Sequence, residues 1–314
     1  MLHPVRGISF QVEAGETLGI VGESGCGKSL TSLAIMGLLP SSATRTATRL
    51  DLEGQSLLPL SESELSDLRG ERMSMIFQDP MTSLNPAYSI GNQLAEVLIR
   101  HRGASQREAT DRAVFLLEKV GISAAASRLG QYPHQLSGGL RQRVMIAMAL
   151  MCEPRLLIAD EPTTALDVTI QAQILLLIQS LQKEFSIGVI LITHDLGVVA
   201  RTADRVAVMY AGEIVETGTA TEIFEKPLHP YTQGLIDCIP IPGKTKPGEH
   251  LGSIPGIVPT LVGDLQGCAF GDRCAHVRDI CRQDVSENQL GPGRHFRCIL
   301  PAELEARTAV AAAQ

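Results

Sequence analysis

The sequence predicts an α/β protein built on a parallel β-sheet, and three observations indicate this fold class. Apolar runs typical of buried parallel strands occur at residues 17–21, 155–159 and 188–193. Segments with helical periodicity separate these runs, as in alternating β–α units. A glycine-rich segment, residues 22–29, reads G-x-x-x-x-G-K-S and joins the first run to an apolar helix at residues 30–39. This order of strand, loop and helix predicts a site for phosphate groups.

Length and composition narrow the class of protein. The chain has 314 residues, 44% of them hydrophobic, and a net charge of −7, which is ordinary for a globular protein of one or two domains. The acidic balance argues against nucleic acid as the main partner. No apolar run reaches the roughly 20 residues that span a bilayer, and residues 1–4 lack the pattern of a signal peptide. We therefore expect a cytoplasmic protein that reaches a membrane only through a partner.

The glycine-rich segment carries the strongest functional signal. Its glycines allow the backbone to wrap around an anion, and the following helix adds its positive end. Lys28 can reach the β- and γ-phosphates of a nucleotide, and the Ser29 hydroxyl can bind Mg²⁺. The alternative is an ordinary glycine-rich turn. The predicted nucleotide-binding residues are Gly22, Ser24, Gly25, Cys26, Gly27, Lys28, Ser29 and Leu30.

Two carboxylates end the second buried run. Ionised side chains seldom follow a core strand directly unless a metal or a charge compensates them. Asp160 is predicted to bind Mg²⁺ and Glu161 to act as general base toward the water that attacks the γ-phosphate. The alternative is a pair of helix-capping residues. Residues 73–77 are a further strand candidate. Gln78 follows this strand and His194 follows residues 188–193, at the edge where α/β sheets bind ligands. The alternatives are a surface residue for Gln78 and a structural histidine for His194.

Helical periodicity without a strand signal dominates residues 90–120, which predicts a helical insertion in the α/β domain. A capping box of Ser105 and Glu108 begins its second helix, and Gly121 ends it. Further on, Ser137-Gly138-Gly139 precedes another apolar helix. Two glycines there expose the first N–H groups of the helix, which is a weak signal for a second anion site.

Three other elements are predicted from periodicity. Alternation at Ile8, Phe10 and Val12 indicates a half-buried strand, and residues 205–210 and 214–217 form a hairpin. Residues 169–185 form an amphipathic helix, whose predicted core stripe is Ile170, Ile174, Leu177, Leu181 and Phe185. Frequent proline and glycine at residues 240–259 indicate a linker or an irregular domain.

Four of the seven cysteines lie close together near the end of the sequence: Cys268, Cys274, Cys281 and Cys298. Their spacing is not the C-x-x-C spacing of common zinc sites. Four thiolates in a reducing compartment nevertheless suit either Zn²⁺ or an iron–sulfur cluster. The alternative is four separate buried cysteines.

These motifs, in this order, resemble those of the ATPase subunit of an ABC transporter. The matching positions are residues 22–29 (Walker A), Gln78 (Q-loop), 136–139 (LSGG motif), 157–160 (Walker B), Glu161 (catalytic glutamate), 165–167 (D-loop) and His194 (switch histidine). Residues 77–86, 132–139 and 229–232 further resemble the peptide-importer branch, which includes dipeptide, oligopeptide and nickel systems. Some members of that branch hold a [4Fe–4S] cluster on four C-terminal cysteines, so the resemblance favours such a cluster over zinc.

The resemblance implies a domain organisation. It predicts a P-loop nucleotide-binding domain at residues 1–239, with an antiparallel β subdomain and a helical subdomain inserted at about residues 85–152. A small irregular domain with the cysteines follows at residues 240–314. The family usually has an aromatic residue near the N-terminus that stacks on adenine, and no aromatic precedes Phe10 here. Either the natural start lies upstream, or adenine binding is weaker or supplied differently.

The resemblance also implies a mechanism and partners. ATP lies between the Walker A loop of one ATPase subunit and the partner's LSGG motif, so Ser137, Gly138, Gly139 and Asp167 face the partner's nucleotide. Mg²⁺ is assigned to Ser29, Gln78 and Asp160, and catalysis to Glu161, His194 and Gln78. Expected partners are a second, paralogous ATPase, two transmembrane permease subunits and a substrate-binding protein, at the cytoplasmic face of the membrane. The alternatives are an importer of nickel or another small solute, a non-transport ABC ATPase and an iron–sulfur sensor.

Overall fold

The computed structural model describes residues 2–164, 166–239, 252–263 and 265–300. The helices are α1 (Lys28–Met36), α2 (Glu62–Leu68), α3 (Pro80–Ser83), α4 (Ile90–Arg102), α5 (Gln106–Lys119), α6 (Ala125–Arg128), α7 (Gly138–Ala149), α8 (Val168–Phe185), α9 (Leu196–Thr202), α10 (Ala220–Glu225) and α11 (Pro230–Asp237). The strands are β1 (Thr17–Val21), β2 (Asp51–Leu52), β3 (Gln55–Ser56), β4 (Met73–Ile76), β5 (Leu156–Asp160), β6 (Gly188–Thr193), β7 (Arg205–Tyr210), β8 (Glu213–Thr219), β9 (Asn288–Gln289) and β10 (His295–Phe296).

The chain forms two compact units that alternate along the sequence. The first unit comprises Met1–Gln11, Leu18–Thr31 and Thr193–Gln314, and the second comprises Val12–Thr17 and Ser32–Ile192. No helix in the described part of the chain combines the length and apolar character needed to cross a bilayer.

Three parallel strands form the centre of the second unit. β5 pairs in parallel with β4 on one side and with β6 on the other. Residues 157–160 and 188–192 are buried throughout, as expected for strands covered on both faces. The predicted α/β fold class with parallel strands is therefore confirmed.

The helices predicted within residues 90–120 are present in the second unit as α4 and α5, and their grouping into an inserted subdomain stays a prediction. Ser105 caps α5 in a capping box with Glu108, and Gly121 follows the helix with φ of +78°. The apolar stripe of α5 and the residue that caps its C-terminus are completely buried: Ala113, Leu116, Leu117 and Val120. Local sequence was sufficient here because capping and helical periodicity agree with one another.

The first unit contains a mostly antiparallel sheet. β1 runs parallel to β7, β7 and β8 form the predicted hairpin, and β10 and β9 continue the sheet from β8. A hydrophobic core of this unit includes Tyr210, Tyr231 and Phe270. The described C-terminal residues thus contribute both strands and core side chains to this unit. The domain boundary at residues 239 and 240 stays a prediction, because residues 240–251 and 301–314 lie outside the described part.

One predicted strand is absent, and the predicted core stripe of α8 is only partly correct, although the helix itself is present. Ile8, Phe10 and Val12 are half-buried as expected, but they form no strand, because no described segment pairs with them along its backbone. On α8, Ile174 and Leu181 are buried as predicted. The rest of the buried face is Leu175, Ile178 and Gln182, whereas Ile170, Leu177 and Phe185 are only partly buried. Tertiary packing, not periodicity alone, decides which face of a helix is covered.

Candidate nucleotide-binding and hydrolysis site

The phosphate loop lies between β1 and α1, and steric contacts require its glycines. Gly27 has φ of +105°, and a Cβ at this position would lie 2.3 Å from the carbonyl oxygen of Pro4. A Cβ on Gly22 would lie 2.1 Å from the carbonyl oxygen of Met209. Any other residue at these positions would collide with backbone atoms. The loop therefore has the closely packed geometry that its sequence predicts.

Lys28 is buried, and the backbone of the loop holds its ammonium group. Its Nζ donates hydrogen bonds to the carbonyl oxygens of Gly22 at 2.8 Å and of Glu23 at 3.0 Å. Burial raises the pKa of the neighbouring Cys26 thiol, and Lys28 acts in the opposite direction. Cys26 is therefore a neutral packing residue near pH 7. Among the other predicted residues, Ser24 and Gly25 are exposed, and Ser29 and Leu30 are half-buried.

The two predicted carboxylates lie at the end of β5 in the second unit. Asp160 is buried, and its Oδ2 accepts a hydrogen bond from the Ser32 hydroxyl at 3.5 Å. Glu161 has φ of +46°, an uncommon conformation for a residue with a side chain. Its N–H donates to the carbonyl oxygen of Ile192 at 2.9 Å, at the end of β6. This bond anchors a strained turn that presents the Glu161 side chain.

The Glu161 carboxylate is oriented by two donors. The Gln78 side-chain amide donates to Oε2 at 3.1 Å, and the Thr164 hydroxyl donates to the same oxygen at 2.9 Å. The structure thus brings Gln78 and Glu161 together across 83 positions of sequence. Sequence reasoning missed Thr164, whose only local signal is its position three residues after Glu161 in a turn. A carboxylate held in this way can accept a proton from a water molecule.

The other predicted site residues of the second unit are helix caps. Ser137 caps α7, and its hydroxyl accepts a hydrogen bond from the Leu140 N–H at 3.4 Å. Asp167 caps α8, and its Oδ1 accepts from the Ile170 N–H at 3.0 Å. The side chain of Ser137 is exposed, whereas Gly138 and Gly139 are half-buried. Both residues are therefore helix N-caps, and a cap of this kind is compatible with a further contact to a ligand.

His194 comes directly after β6 in sequence, lies in the first unit and is exposed. Its neighbours hold the turn: the Asp195 N–H donates to the Thr193 hydroxyl at 3.0 Å, and Asp195 Oδ1 accepts from the Val198 N–H at 3.2 Å. Asp195 thereby caps α9. The imidazole is displayed by a short, well-bonded turn, which suits a residue that contacts a ligand.

The four predicted cysteine ligands line one small cavity in the first unit. Burial raises the pKa of three of these thiols, Cys268, Cys274 and Cys298, the last to about 11. Metal ligation requires thiolates that converge on one point. Among the described residues, no group of three or more histidine, cysteine, aspartate or glutamate side chains is placed to hold a metal ion. The prediction of a metal site at Cys268, Cys274, Cys281 and Cys298 is therefore not supported by the structure.

Comparisons with known proteins identify the family. The family model described as ABC transporter matches residues 5–164, and the model described as the C-terminal region of oligopeptide/dipeptide transporters matches residues 215–281. The chain belongs to the ABC transporter ATPases. It is 50% identical over 299 residues to the oligopeptide transport ATP-binding protein OppD of Salmonella typhimurium, covering 95% of this chain and 88% of that protein.

Further relatives agree with this assignment. The dipeptide transport ATP-binding protein DppD of Escherichia coli is 51% identical over 297 residues, covering 94% of this chain and 90% of the relative. Among solved structures, a dimeric ATP-binding cassette bound to ADP and Pi superposes with a TM-score of 0.61 at 29% identity, covering 69% of this ABC ATPase and 90% of that chain. The resemblance to the ATPase subunits of the peptide-importer branch is thereby confirmed, and with it the α/β nucleotide-binding fold.

Proposed function

We propose that this ABC ATPase hydrolyses ATP to power the import of peptides across the cytoplasmic membrane. The observation that carries the peptide assignment is the match of residues 215–281 to the C-terminal region of oligopeptide/dipeptide transporters. Relatives that cover nearly the whole chain carry the names of oligopeptide and dipeptide transport proteins. The two alternatives are an importer of nickel or another small solute and an ABC ATPase without a transport role.

We assign the hydrolytic step to Glu161. Its carboxylate accepts the proton of the water that attacks the γ-phosphate, and Gln78 and Thr164 orient it for this transfer. His194 holds the attacking water or the γ-phosphate. The water oxygen bonds to the γ-phosphorus as the bond from that phosphorus to the β–γ bridging oxygen breaks, which gives inorganic phosphate and ADP. The proton that Glu161 has accepted then passes to phosphate or solvent.

The binding of ATP and Mg²⁺ is assigned by motif. The backbone N–H groups of residues 24–30 and the ammonium of Lys28 are assigned to bind the triphosphate. For this, Lys28 exchanges one of its two carbonyl acceptors, Gly22 or Glu23, for a phosphate oxygen. The oxygens of Ser29, Gln78 and Asp160 are the assigned Mg²⁺ ligands. Mg²⁺ prefers such hard oxygen donors and lowers the charge that opposes attack on phosphorus.

We assign Ser137, Gly138, Gly139 and Asp167 to the nucleotide bound by a second ATPase subunit, which we expect to be a paralogue. The exposed N-terminus of α7, capped by Ser137, offers N–H groups and a positive helix end to a phosphate of that partner. The other partners in this proposal are two permease subunits and a substrate-binding protein. The ATPase would then be peripheral, on the cytoplasmic face of the membrane.

Reconstitution tests the peptide assignment. The tagged ABC ATPase is purified from membranes with its partners, placed in liposomes and assayed for ATP hydrolysis and uptake with labelled dipeptides, longer peptides and chelated nickel. We expect peptides to stimulate hydrolysis and to accumulate, and a Glu161→Gln complex to bind ATP without uptake. Stimulation by nickel alone would contradict the peptide assignment. Purification with ribosomes or DNA and no permease would contradict the transport role.

The iron–sulfur cluster is a separate hypothesis, with zinc as the alternative. Its support is the resemblance and the shared cavity of the four thiols, and the absence of a metal-holding group among the described residues counts against it. Anaerobic purification with iron, sulfide and zinc analysis decides the question. Iron and sulfide near four equivalents each, depleted in Cys274→Ser, would support a [4Fe–4S] cluster. A metal-free protein in which all seven thiols titrate after unfolding would end the hypothesis.

A further inference from the structure

The C-terminal segment, residues 252–263 and 265–300 of the described chain, contacts the phosphate loop within the first unit through an ion pair. Arg273 follows Phe270 in a short 3-10 turn, Gly271–Arg273. Its guanidinium forms two parallel hydrogen bonds with Glu23, from Nη1 to Oε2 at 2.6 Å and from Nη2 to Oε1 at 3.0 Å. The Arg273 side chain is 4% exposed and the Glu23 side chain 31%. Such paired bonds are stronger and more directional than a single ionic contact.

Other contacts hold the Arg273 guanidinium in this position. Nε donates to the carbonyl oxygen of Pro255 at 2.8 Å, and Nη2 donates to that of Ile254 at 3.1 Å. The group also lies over the rings of Tyr210 and Phe270, with its carbon 5.7 and 5.9 Å from their centres. The guanidinium is therefore preorganised before it meets Glu23.

Glu23 is held at three points, and one of them leads to the nucleotide-binding lysine. Its carboxylate binds Arg273, its N–H donates to the Tyr231 hydroxyl at 2.9 Å, and its carbonyl oxygen accepts from Lys28 Nζ at 3.0 Å. A displacement of the Glu23 backbone would therefore move an acceptor of Lys28. Arg273 thus acts on Lys28 through a single intervening residue.

The negative charge of Glu23 also opposes the binding of a triphosphate by the loop. A carboxylate within a loop that binds a polyanionic triphosphate repels the ligand, and a partly buried site screens this repulsion less than water does. Arg273 supplies the compensating positive charge at hydrogen-bonding distance. Without it, the loop would carry an uncompensated negative charge beside its ligand.

We propose that Arg273 is a positioning residue for nucleotide binding, which neutralises and holds Glu23 in the phosphate loop. The C-terminal segment thereby sets the affinity of the loop for ATP. This proposal rests on the assignment of residues 22–29 as the ATP site. Neither the phosphate-loop motif nor the cysteine spacing predicts it, because the two residues are 250 positions apart.

The test is a double-mutant cycle in the assembled, membrane-bound transporter. In Arg273→Met, we expect the KM and Kd for ATP to rise roughly tenfold or more, while kcat at saturating ATP changes much less. In Arg273→Met with Glu23→Gln, the negative charge is gone, so we expect most of the lost affinity to return. Glu23→Gln alone completes the cycle. Arg282→Met removes an exposed arginine of the same segment and should leave KM unchanged.

Two results would overturn the proposal. An unchanged KM in Arg273→Met would show that the ion pair does not influence the loop. A double variant as weak as Arg273→Met would show that Arg273 serves only the packing of Pro255, Ile254 and the rings. If Arg273→Met fails to assemble, Arg273→Gln replaces it, because glutamine removes the positive charge opposite Glu23 but keeps an amide donor for the carbonyl oxygens of Pro255 and Ile254. The same rescue by Glu23→Gln is then expected, and an unchanged KM again contradicts the proposal.

Lys28→Ala separates this proposal from the assignment of the loop itself. If Lys28→Ala loses ATP binding while Arg273→Met retains it, only the role of Arg273 is wrong. If Lys28→Ala binds ATP normally, the assignment of residues 22–29 as the nucleotide site is wrong, and the proposal for Arg273 falls with it.

Discussion

The phosphate loop and the turn at Glu161 reach their geometry in different ways. The ammonium of the loop lysine is held by the carbonyl groups five and six residues before it. The Glu161 carboxylate accepts from Gln78, 83 positions away, and the Glu161 N–H donates to the end of β6. The position of the loop lysine is therefore specified by near neighbours in sequence, whereas the orientation of the general base depends on contacts between separate elements of the second unit.

The largest expected effect comes from removing the general base. In Glu161→Gln, we expect hydrolysis to fall by roughly a hundredfold or more while ATP affinity is retained, because only the proton acceptor is lost. Turnover in the assembled complex and equilibrium ATP binding measure the two quantities separately. Glu184→Gln, on the exposed side of α8, is the matched control. Full hydrolysis by Glu161→Gln would refute the assignment.

The next effect tests how strictly the loop is determined by local sterics. Gly27→Ala places a Cβ 2.3 Å from the Pro4 carbonyl at φ of +105°, so we expect it to cost about 2–4 kcal/mol of folding free energy. Gly25→Ala, at φ of +80° with no heavy atom within 4 Å, should cost only about 1 kcal/mol. Denaturant unfolding of both variants measures the difference. Equal losses would mean that the Pro4 contact does not constrain the loop.

A smaller effect concerns the residue that sequence reasoning missed. Thr164→Val removes the hydroxyl that donates to Glu161 Oε2, so we expect kcat to fall about three- to tenfold, with little change in the KM for ATP. Thr110→Val on α5 removes a hydroxyl that donates to the Gln106 carbonyl oxygen within the same helix and serves as the control. A kcat equal to that of the control would show that Thr164 is not needed to orient the base.

The smallest effect tests the hydrogen bond between Glu23, near the start of the loop, and the distant Tyr231. Tyr231→Phe leaves the Glu23 N–H without its hydroxyl acceptor, which should cost about 1 kcal/mol of stability and weaken ATP binding a few-fold. Tyr88→Phe alters an exposed tyrosine and provides the baseline. If the two variants bind ATP equally well, the loop is more independent of distant residues than its contacts indicate.

Much of the fold and of the site was predictable from local sequence. Residues 17–36 contain a buried strand, a glycine-rich loop and a helix, and the order of these elements can be predicted from the local sequence. The helices α4 and α5 carry their own caps and apolar stripes. The segment with Ile8, Phe10 and Val12 was predicted wrongly, because alternation shows which side chains are covered but not whether a neighbouring backbone completes the hydrogen bonds.

The cysteines also show what spacing in sequence cannot specify. Their proximity in sequence predicted that Cys268, Cys274, Cys281 and Cys298 meet, and they do line one cavity. Spacing does not specify whether four thiols converge on a common point, and the described structure does not place them to hold a metal ion. The metal site depends on angles and distances that no spacing rule contains.

The sequence by itself determined the family, the phosphate loop and the identity of the candidate base, because these depend on residue types at fixed short spacings. Tertiary structure decided which distant side chains complete them: Gln78 at Glu161, and Tyr231 and Arg273 at Glu23. Hydrogen bonds and ion pairs act over about 3 Å. Partners separated by 83 to 250 positions can therefore be identified only after the chain has folded and brought them into contact.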